Sequence, residues 1–467
     1  MKQFAFTLLA TLFGVTGSFA LSPVYGLAVY YLFAVLRPQS FWDWADFLGY
    51  RITDFQWSFY VAVATLVSTA GWRLGVFTPS RLAAPPWYGE PRYTRSHYLF
   101  LAFTAWICLT YVTAVKPHVA WPFFVEYVKI FVMFICATLV LRSVESLKVI
   151  YYVVLGAAVY IAYECNAYYV FDHTLLFVNR GHGGLDNNGG ALILAMGVPM
   201  CFFAWEATGH WVRWAFLAVI PVLIHAVLLT YSRGAMLSLA LTAVLMWFRA
   251  RDKRFVSVLY AVGVVLVLIM AGKEIRERFL SIERHEADSS AQSRTTTWKI
   301  AIQMANERPV FGFGIRNSNE FTFQYGADMQ GRSIHSQYLQ TAADSGWVGL
   351  GLYVLLLGSV FLGLWSVRRA TWKWNDPETA RVRSMASGLE CALVLFCIGA
   401  VFLSLEHFEM PYILMLLSVQ LHAITRAILA RLEPARPGSP GYAGSVCPHP
   451  YPTGAVAAPV HPAPEPS

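Results

Sequence analysis

The 467-residue chain is 57% hydrophobic and 13% charged, with a mean hydropathy of +0.49 and a formal net charge of +8. A soluble domain carries about 25% charged residues, so half that fraction over this length excludes a water-coated globule. The positive charge does not indicate nucleic acid, because it is parcelled into alternate loops between apolar segments.

Those segments fall at roughly 4–20, 24–36, 56–72, 98–115, 122–141, 147–171, 189–205, 212–231, 234–249, 255–272, 346–367, 386–405 and 410–428. Uncharged stretches such as Phe255–Gly272 and Gly346–Val367 are long enough to cross a hydrocarbon core of about 30 Å as helices. The expected fold is an all-α polytopic membrane protein with about 12–13 transmembrane helices. Lys2, an apolar run from Phe4 and the triplet Ser18-Phe19-Ala20 imitate a secretory signal. A second apolar run, Val24–Leu36, follows at once, so the first segment is read as an uncleaved helix. Residues 1–272 then form the first ten transmembrane helices, 273–345 one large, partly helical external loop, and 346–431 the C-terminal transmembrane helices. The Pro-, Gly- and Ala-rich stretch 432–467 has no hydrophobic pattern and is expected to be a disordered cytoplasmic tail. Cys108, Cys136, Cys165, Cys201, Cys391 and Cys397 lie in apolar runs and Cys447 in the tail, with no CxxC spacing, so neither a disulfide framework nor a zinc site is indicated.

Orientation follows from short-loop Lys and Arg. One set of connections carries Arg73, Arg81, Arg92 and Arg95; Arg142 and Lys148; Arg213; Arg249, Arg251, Lys253 and Arg254; and Arg368, Arg369, Lys373, Arg381 and Arg383. The opposite short loops hold little beyond Arg51, Lys116, Arg180 and Arg233. The basic set is assigned to the cytoplasmic side. That places 172–188, 232–234 and 273–345 together on the external face. The parity requires either an external N-terminus or one segment before residue 56 that does not cross.

Three polar features on that face could carry chemistry. In the run from Asn179 to Asn188, a glycine-rich turn beside Arg180 offers backbone N–H groups and a guanidinium to phosphate oxygens. Asn188 begins the next helix, where an N-terminus favours anions. The same residues fit equally a turn, a helix cap and a snorkelling arginine. Thr230-Tyr231-Ser232-Arg233-Gly234 joins two apolar helices with almost no loop. A charge so near the apolar slab usually faces a polar cavity; the plainer reading is a snorkelling Arg233 with Ser232 as a cap. The long loop holds Ser293-Arg294-Thr295-Thr296-Thr297-Trp298, an amphipathic run to Asn306, then Arg308 to Gly314, which reads as a capped helix lying along the membrane surface. It closes with Ile334-His335-Ser336 and Asp344-Ser345-Gly346-Trp347. A single histidine is more often structural, yet imidazole is the side chain suited to proton transfer near neutral pH. Metal chemistry has poor support. Asp43 with Asp46, and Glu283, Glu286 and Asp288, form no DxD and read as solvated surface; Glu126 and Lys129 stand three apart and can pair; Glu164 has no assigned role.

The pattern Arg180-x-x-Gly183 leading to Asn188, then Ser232-Arg233-Gly234, Arg294 with Trp298, Pro309, Gly312-x-Gly314, and His335 before Gly346 resembles the O-antigen ligase superfamily in order and spacing. That superfamily includes O-antigen polymerases and bacterial protein O-oligosaccharyltransferases. The resemblance covers about residues 120–350, and Arg276 through Gly314 is most similar to the O-glycosylation ligases associated with exosortase A systems. It implies a glycosyltransferase that uses an undecaprenyl-diphosphate-linked glycan, without cofactor or metal, and inverts the anomeric carbon. Arg180 and Arg233, with Arg294 and Asn188 as weaker candidates, would bind the donor diphosphate, and His335 would activate the acceptor hydroxyl. The acceptor would be a lipid-anchored sugar, a polysaccharide or a protein side chain, with the lipid bilayer as the other partner and no nucleic acid. A polymerase of the same superfamily is the nearest alternative. A non-enzymatic polysaccharide transporter would call for internal repeats and broken helices near the midplane, and no repeat is evident.

Overall fold

The computed structural model describes residues 1–76, 88–209, 211–270, 289–372, 377–404 and 408–432. Glu283, Glu286, Asp288 and the tail beyond 432 lie outside them. Each apolar segment lies in one helix: α1 (Lys2–Ala20), α2 (Pro23–Leu36), α3 (Trp57–Arg73), α4 (Arg95–Val112), α5 (Pro117–Val140), α6 (Val144–Asp172), α7 (Asn187–Ala207), α8 (Arg213–Leu229), α9 (Arg233–Arg249) and α10 (Lys253–Met270) precede the long loop. The loop carries α11 (Ser289–Glu307), and α12 (Gln337–Thr371), α13 (Pro377–Gly399) and α14 (Glu409–Leu432) follow. Seven of these helices (α1, α5, α6, α7, α12, α13 and α14) are long and apolar enough to cross a membrane, whichever of the shorter ones also do so. The strands among the described residues are a two-residue hairpin, Asp46–Phe47 against Tyr50–Arg51. This is an all-α polytopic membrane protein.

Polar side chains set the helix starts. Ser22 accepts from the Val24 amide ahead of Pro23, Asp186 from Gly189 and Ser232 from Ala235, each satisfying a donor that the first turn leaves without an intrahelical partner. The centre of the bundle is α7, buried nearly all round, as expected of a helix with apolar and small residues on every face. It packs chiefly on α13 and α8.

The two ends of the bundle differ in charge. At one end Arg73 and Arg142 share Glu90, Lys148 and Arg381 share Glu378, and Arg251 meets the Ala380 carbonyl and Ser384. Just inside it, Glu390 accepts two bonds from Arg249, at 2.8 and 3.1 Å, and one from Arg368 at 2.5 Å. The basic loops therefore gather at one end, as the alternation of segments requires. The N-terminus goes to the other end: Phe4 packs on Phe47, Phe55 and Trp57, and α1 turns into α2 through Leu21 and Ser22. Of the two ways to satisfy the parity, the chain adopts the one in which α1 begins on the less basic side.

On that side, α12 is broken at Gly346, whose φ of 72° and ψ of 174° belong to a region that only glycine occupies at low cost. The break leaves two carbonyls without helical donors, and the long loop fills them. Phe313 N–H donates to Ala343 O (2.9 Å) and Gly314 N–H to Asp344 O (2.8 Å), while Trp347 N–H donates to Pro309 O (2.8 Å). The loop also closes its own small core, in which Ile300, Ala301 and Met304 of α11 meet Phe313, Ile334 and Ala343. This corrects the expectation for α11. Its apolar face is covered by the loop and α12 and is not laid on a membrane surface.

A Cβ at Gly346 would lie 2.1 Å from the Val310 carbonyl oxygen. Gly346→Ala is expected to cost about 1–3 kcal/mol for the backbone conformation alone, with the clash in addition. Gly351→Ala, in open space on the same helix, should be neutral or stabilising by up to about 1 kcal/mol. Thermal unfolding of the two purified variants checks the contrast.

Candidate functional site

The sequence motifs converge at the less basic end through specific contacts. Asn188, in the first turn of α7, accepts a hydrogen bond from the Ser232 hydroxyl (2.8 Å) and donates to Asp186 (3.1 Å). Asn187 donates to the Thr230 carbonyl (2.9 Å). The helix cap is thus Asp186, one residue before the helix, and Asn188 serves as the clasp between two motifs. Tyr231 has a φ of 56°, which lets α9 start with only three residues after the end of α8, and Arg233 is half-buried at the first position of α9. Gly234 faces Phe402, whose ring lies 6.2 Å from that of Trp298 on α11. Helices α7, α9 and α11 and the end of α13 therefore meet around one point.

His335 occupies that point. Its φ of 55° places it in the left-handed region just ahead of α12, between two anchored neighbours. Thr297 of α11 donates to the Ile334 carbonyl (3.1 Å), and Gln337 N–H donates to Ala400 O (2.8 Å). Burial holds the imidazole below its ordinary pKa of 6.5, and the positive charges of Arg294, Arg332 and Arg316 push in the same direction, with Asp186 opposing them. The ring is therefore neutral near pH 7 and able to accept a proton. Arg332 is held by Ser293 (3.0 Å) and by Asp328 (3.4 Å).

Arg316 is a residue that the sequence reading passed over. It has a φ of 57°, packs over the Phe123 ring at 5.3 Å, and leaves Nε and Nη1 buried without a hydrogen-bond partner. Its backbone is fixed by Asp344, which accepts from Arg316 N–H (2.9 Å), Ser318 N–H (3.0 Å) and Gln340 (2.8 Å). No spacing in the chain singles it out, because it lies in a short irregular link between Gly314 and the turn at Asn317–Phe321.

Arg180 is engaged by another partner. It ends the short helix Leu176–Arg180 and pairs with Asp43 at 3.5 Å, both side chains 58% exposed. Asp43 is thus an ion-pair partner, not merely solvated surface. The glycine turn beyond it is tightly built. Any side chain on Gly183 would run into Arg37, whose guanidinium donates to the Gly183 carbonyl. His182 is buried against Phe41 and Phe177, with its ring nitrogen donating to Val35 O (2.9 Å), and burial pushes its pKa down to about 4. It is a structural histidine. Glu126 and Lys129 pair at 2.6 Å, and Glu164 accepts from Tyr160. Among the described residues no three His, Cys, Asp or Glu side chains are grouped to hold a metal ion.

Residues 218–354, from α8 to the middle of α12, match the family model for O-antigen ligase. They include Ser232, Arg233, Arg294, Arg316 and His335 but stop short of Arg180 and Asn188. The chain is also 24% identical, over 343 residues, to the exopolysaccharide production protein ExoQ of Rhizobium meliloti (strain 1021), covering 65% of this chain and 70% of that protein. The chain is thus a polytopic membrane protein in which one segment is similar to O-antigen ligase, and both matches are consistent with the O-antigen ligase superfamily. Both matches support a function of the membrane ligase or polymerase type.

The two polar arrangements differ in what they contribute to folding. Ser232→Ala removes both a cap and the donor to a half-buried Asn188, and is expected to cost about 1–2 kcal/mol. Asp43→Asn breaks an exposed pair and should change stability by less than about 1 kcal/mol. Unfolding midpoints of the two variants give the comparison.

Proposed function

We propose that the protein transfers a glycan from an undecaprenyl-diphosphate carrier to an acceptor hydroxyl at the periplasmic face of the bacterial inner membrane. The observation that carries this reading is the seat of His335, fixed by the bonds of Ile334 to Thr297 and of Gln337 to Ala400, where burial and the charges of Arg294, Arg332 and Arg316 lower its pKa. A neutral base beside several cations suits a reaction in which a hydroxyl loses a proton and a diphosphate leaves with the electron pair. In this mechanism the imidazole takes the acceptor proton as the acceptor oxygen attacks the anomeric carbon. The bond from that carbon to the diphosphate breaks, the configuration inverts, and undecaprenyl diphosphate departs. Arg180, Arg233 and Arg294, with Asn188, hold the diphosphate, and no metal takes part. A polymerase, in which the acceptor is a growing chain of the same glycan, is the second reading. It is favoured by the name of the relative from Rhizobium meliloti, a protein of exopolysaccharide production. Product length in a reconstituted reaction decides between them: a ladder of repeats for the polymerase, a single addition for the ligase.

His335→Ala should slow transfer by roughly a hundredfold or more while leaving donor affinity nearly intact. Arg180→Ala and Arg233→Ala should lose donor affinity together with about a hundredfold to a thousandfold in rate, and lysine should rescue them poorly because it lacks the planar fork. Donor binding and single-turnover transfer in nanodiscs measure both quantities. Wild-type transfer by the His335 variant would remove the base from the mechanism.

The surroundings of His335 also fix the sign of a pH effect. A general base acts when unprotonated, so the acid limb of the rate profile should lie below the ordinary imidazole value of 6.5. Arg294→Gln removes a charge that lowers the imidazole pKa, and should move the limb to higher pH. Asp186→Asn removes one that raises it, and should move the limb to lower pH while keeping the helix cap. A limb that stays in place in both variants would mean that another group titrates.

A further inference from the structure

A second polar centre, separate from His335, lies at the same end of the bundle. The last turns of α2 and the residues 37–40 that follow, the first turn of α3, the third and fourth turns of α5 and the first residue of α14 line a cavity of about 240 Å³. We propose that this cavity, walled by Tyr30, Arg37, Ser58, Glu126, Lys129 and Glu409, is a subsite for one neutral sugar residue of the glycan. Its assignment to that glycan rests on the transferase reading above.

Its ionisable side chains are matched, two acidic and two basic. Glu126 and Lys129 form one pair at 2.6 Å. Glu409 has Arg37 as its main neighbouring cation and the Tyr30 hydroxyl as a hydrogen-bond partner. Ionisable groups at the edge of or within an apolar slab are costly and usually line a path for a polar ligand. A diphosphate is a poor fit, because two carboxylates would face it. A polyprenyl chain is a poor fit as well, because its apolar surface would cover two acidic and two basic side chains and the Ser58 hydroxyl while offering none of them a hydrogen bond. A sugar ring answers both demands. Its hydroxyls donate to Glu126 and Glu409 and accept from Arg37, Lys129 and Ser58, and its C–H face can lie on the Tyr30 and Phe33 rings that line the same cavity. The volume is below the roughly 300–1,000 Å³ of pockets that take drug-sized ligands, which suits one ring and not an oligosaccharide. Position adds to the case. Arg37 reaches out of this cavity to the Gly183 carbonyl, so one residue joins the sugar subsite to the turn that carries Arg180.

The test uses the full-length protein in nanodiscs. The probe is a set of short oligosaccharides released by mild acid from the polysaccharide of the source strain, and saturation-transfer NMR reads their binding. Wild-type protein should bind them. Glu409→Gln, which removes a charge with little change of shape, and Ser58→Trp, which fills the cavity from α3, should each weaken binding tenfold or more, with unfolding midpoints reported alongside. His335→Ala and Arg180→Ala should bind the sugars as wild type does, and inorganic pyrophosphate should not displace them. Absence of sugar binding to the wild type, wild-type binding by folded Glu409→Gln and Ser58→Trp, or displacement by pyrophosphate would each overturn the subsite. Failure of the transferase reading has a different signature: sugar binding that responds to Glu409 and Ser58 in a protein with no turnover of a diphosphate-linked donor.

Discussion

The arrangement of the site depends on one interruption in a helix. Where α12 breaks at Gly346, the carbonyls of Ala343 and Asp344 turn to the amides of Phe313 and Gly314. That exchange supplies most of the loop's backbone bonds to the bundle; beside it stand Val115 N–H to Phe313 O (3.0 Å) and the Asn317 amide on both backbone groups of Lys116, with side-chain packing among Ile300, Met304, Phe313 and Ile334. The same break leaves Asp344 pointing at the amides of Arg316 and Ser318, which places the Arg316 guanidinium over Phe123. Two glycines make the contact possible by having no side chain: a Cβ at Gly312 would lie 2.4 Å from the Asp344 carbonyl carbon, and one at Gly314 would lie 2.4 Å from Ala114. The Gly312-x-Gly314 motif is therefore a docking element and does not itself belong to the reacting centre.

A second constraint acts at the opposite end. Glu390 is shared by Arg249 of α9 and Arg368 of α12, tying together the two helices that carry Arg233 and His335 at their other ends. Losing one partner of such a buried set leaves charge uncompensated, a cost of about 3–5 kcal/mol. The site is thus braced from both ends of the helices that form it.

Much of the fold was legible in the sequence, because hydropathy over about 20 residues reports directly on helices that must satisfy their own backbone. The boundaries near the site were less so. The apolar run from Gly346 hides the first turns of α12, where Gln337, Gln340 and Asp344 are polar and buried, and only the structure shows that the helix starts before the glycine. For α11, periodicity gives an apolar face but not its cover, and Phe313, Ile334 and Ala343 supply it. Ser232, Arg233, Asn188, Arg294 and His335 could be picked out because unusual polar residues interrupt apolar runs or follow a motif. Arg37, Arg316 and Glu409 could not, since their contacts reach across the chain. Arg37 meets Gly183 over a separation of 146 residues, and no local pattern encodes such a meeting.

The way the loop is fastened bears on how substrates reach His335. Amides at 313, 314, 316 and 318 all end on the 343–344 segment, and the 347 amide ends on Pro309. Lifting this part of the loop would strip the buried Asp344 carboxylate of two of its donors and reopen the break in α12. The segment from 309 to 318 is thus a wall and not a door. On the proposed reading, a lipid-linked donor would come in past it, between helix ends from the plane of the bilayer.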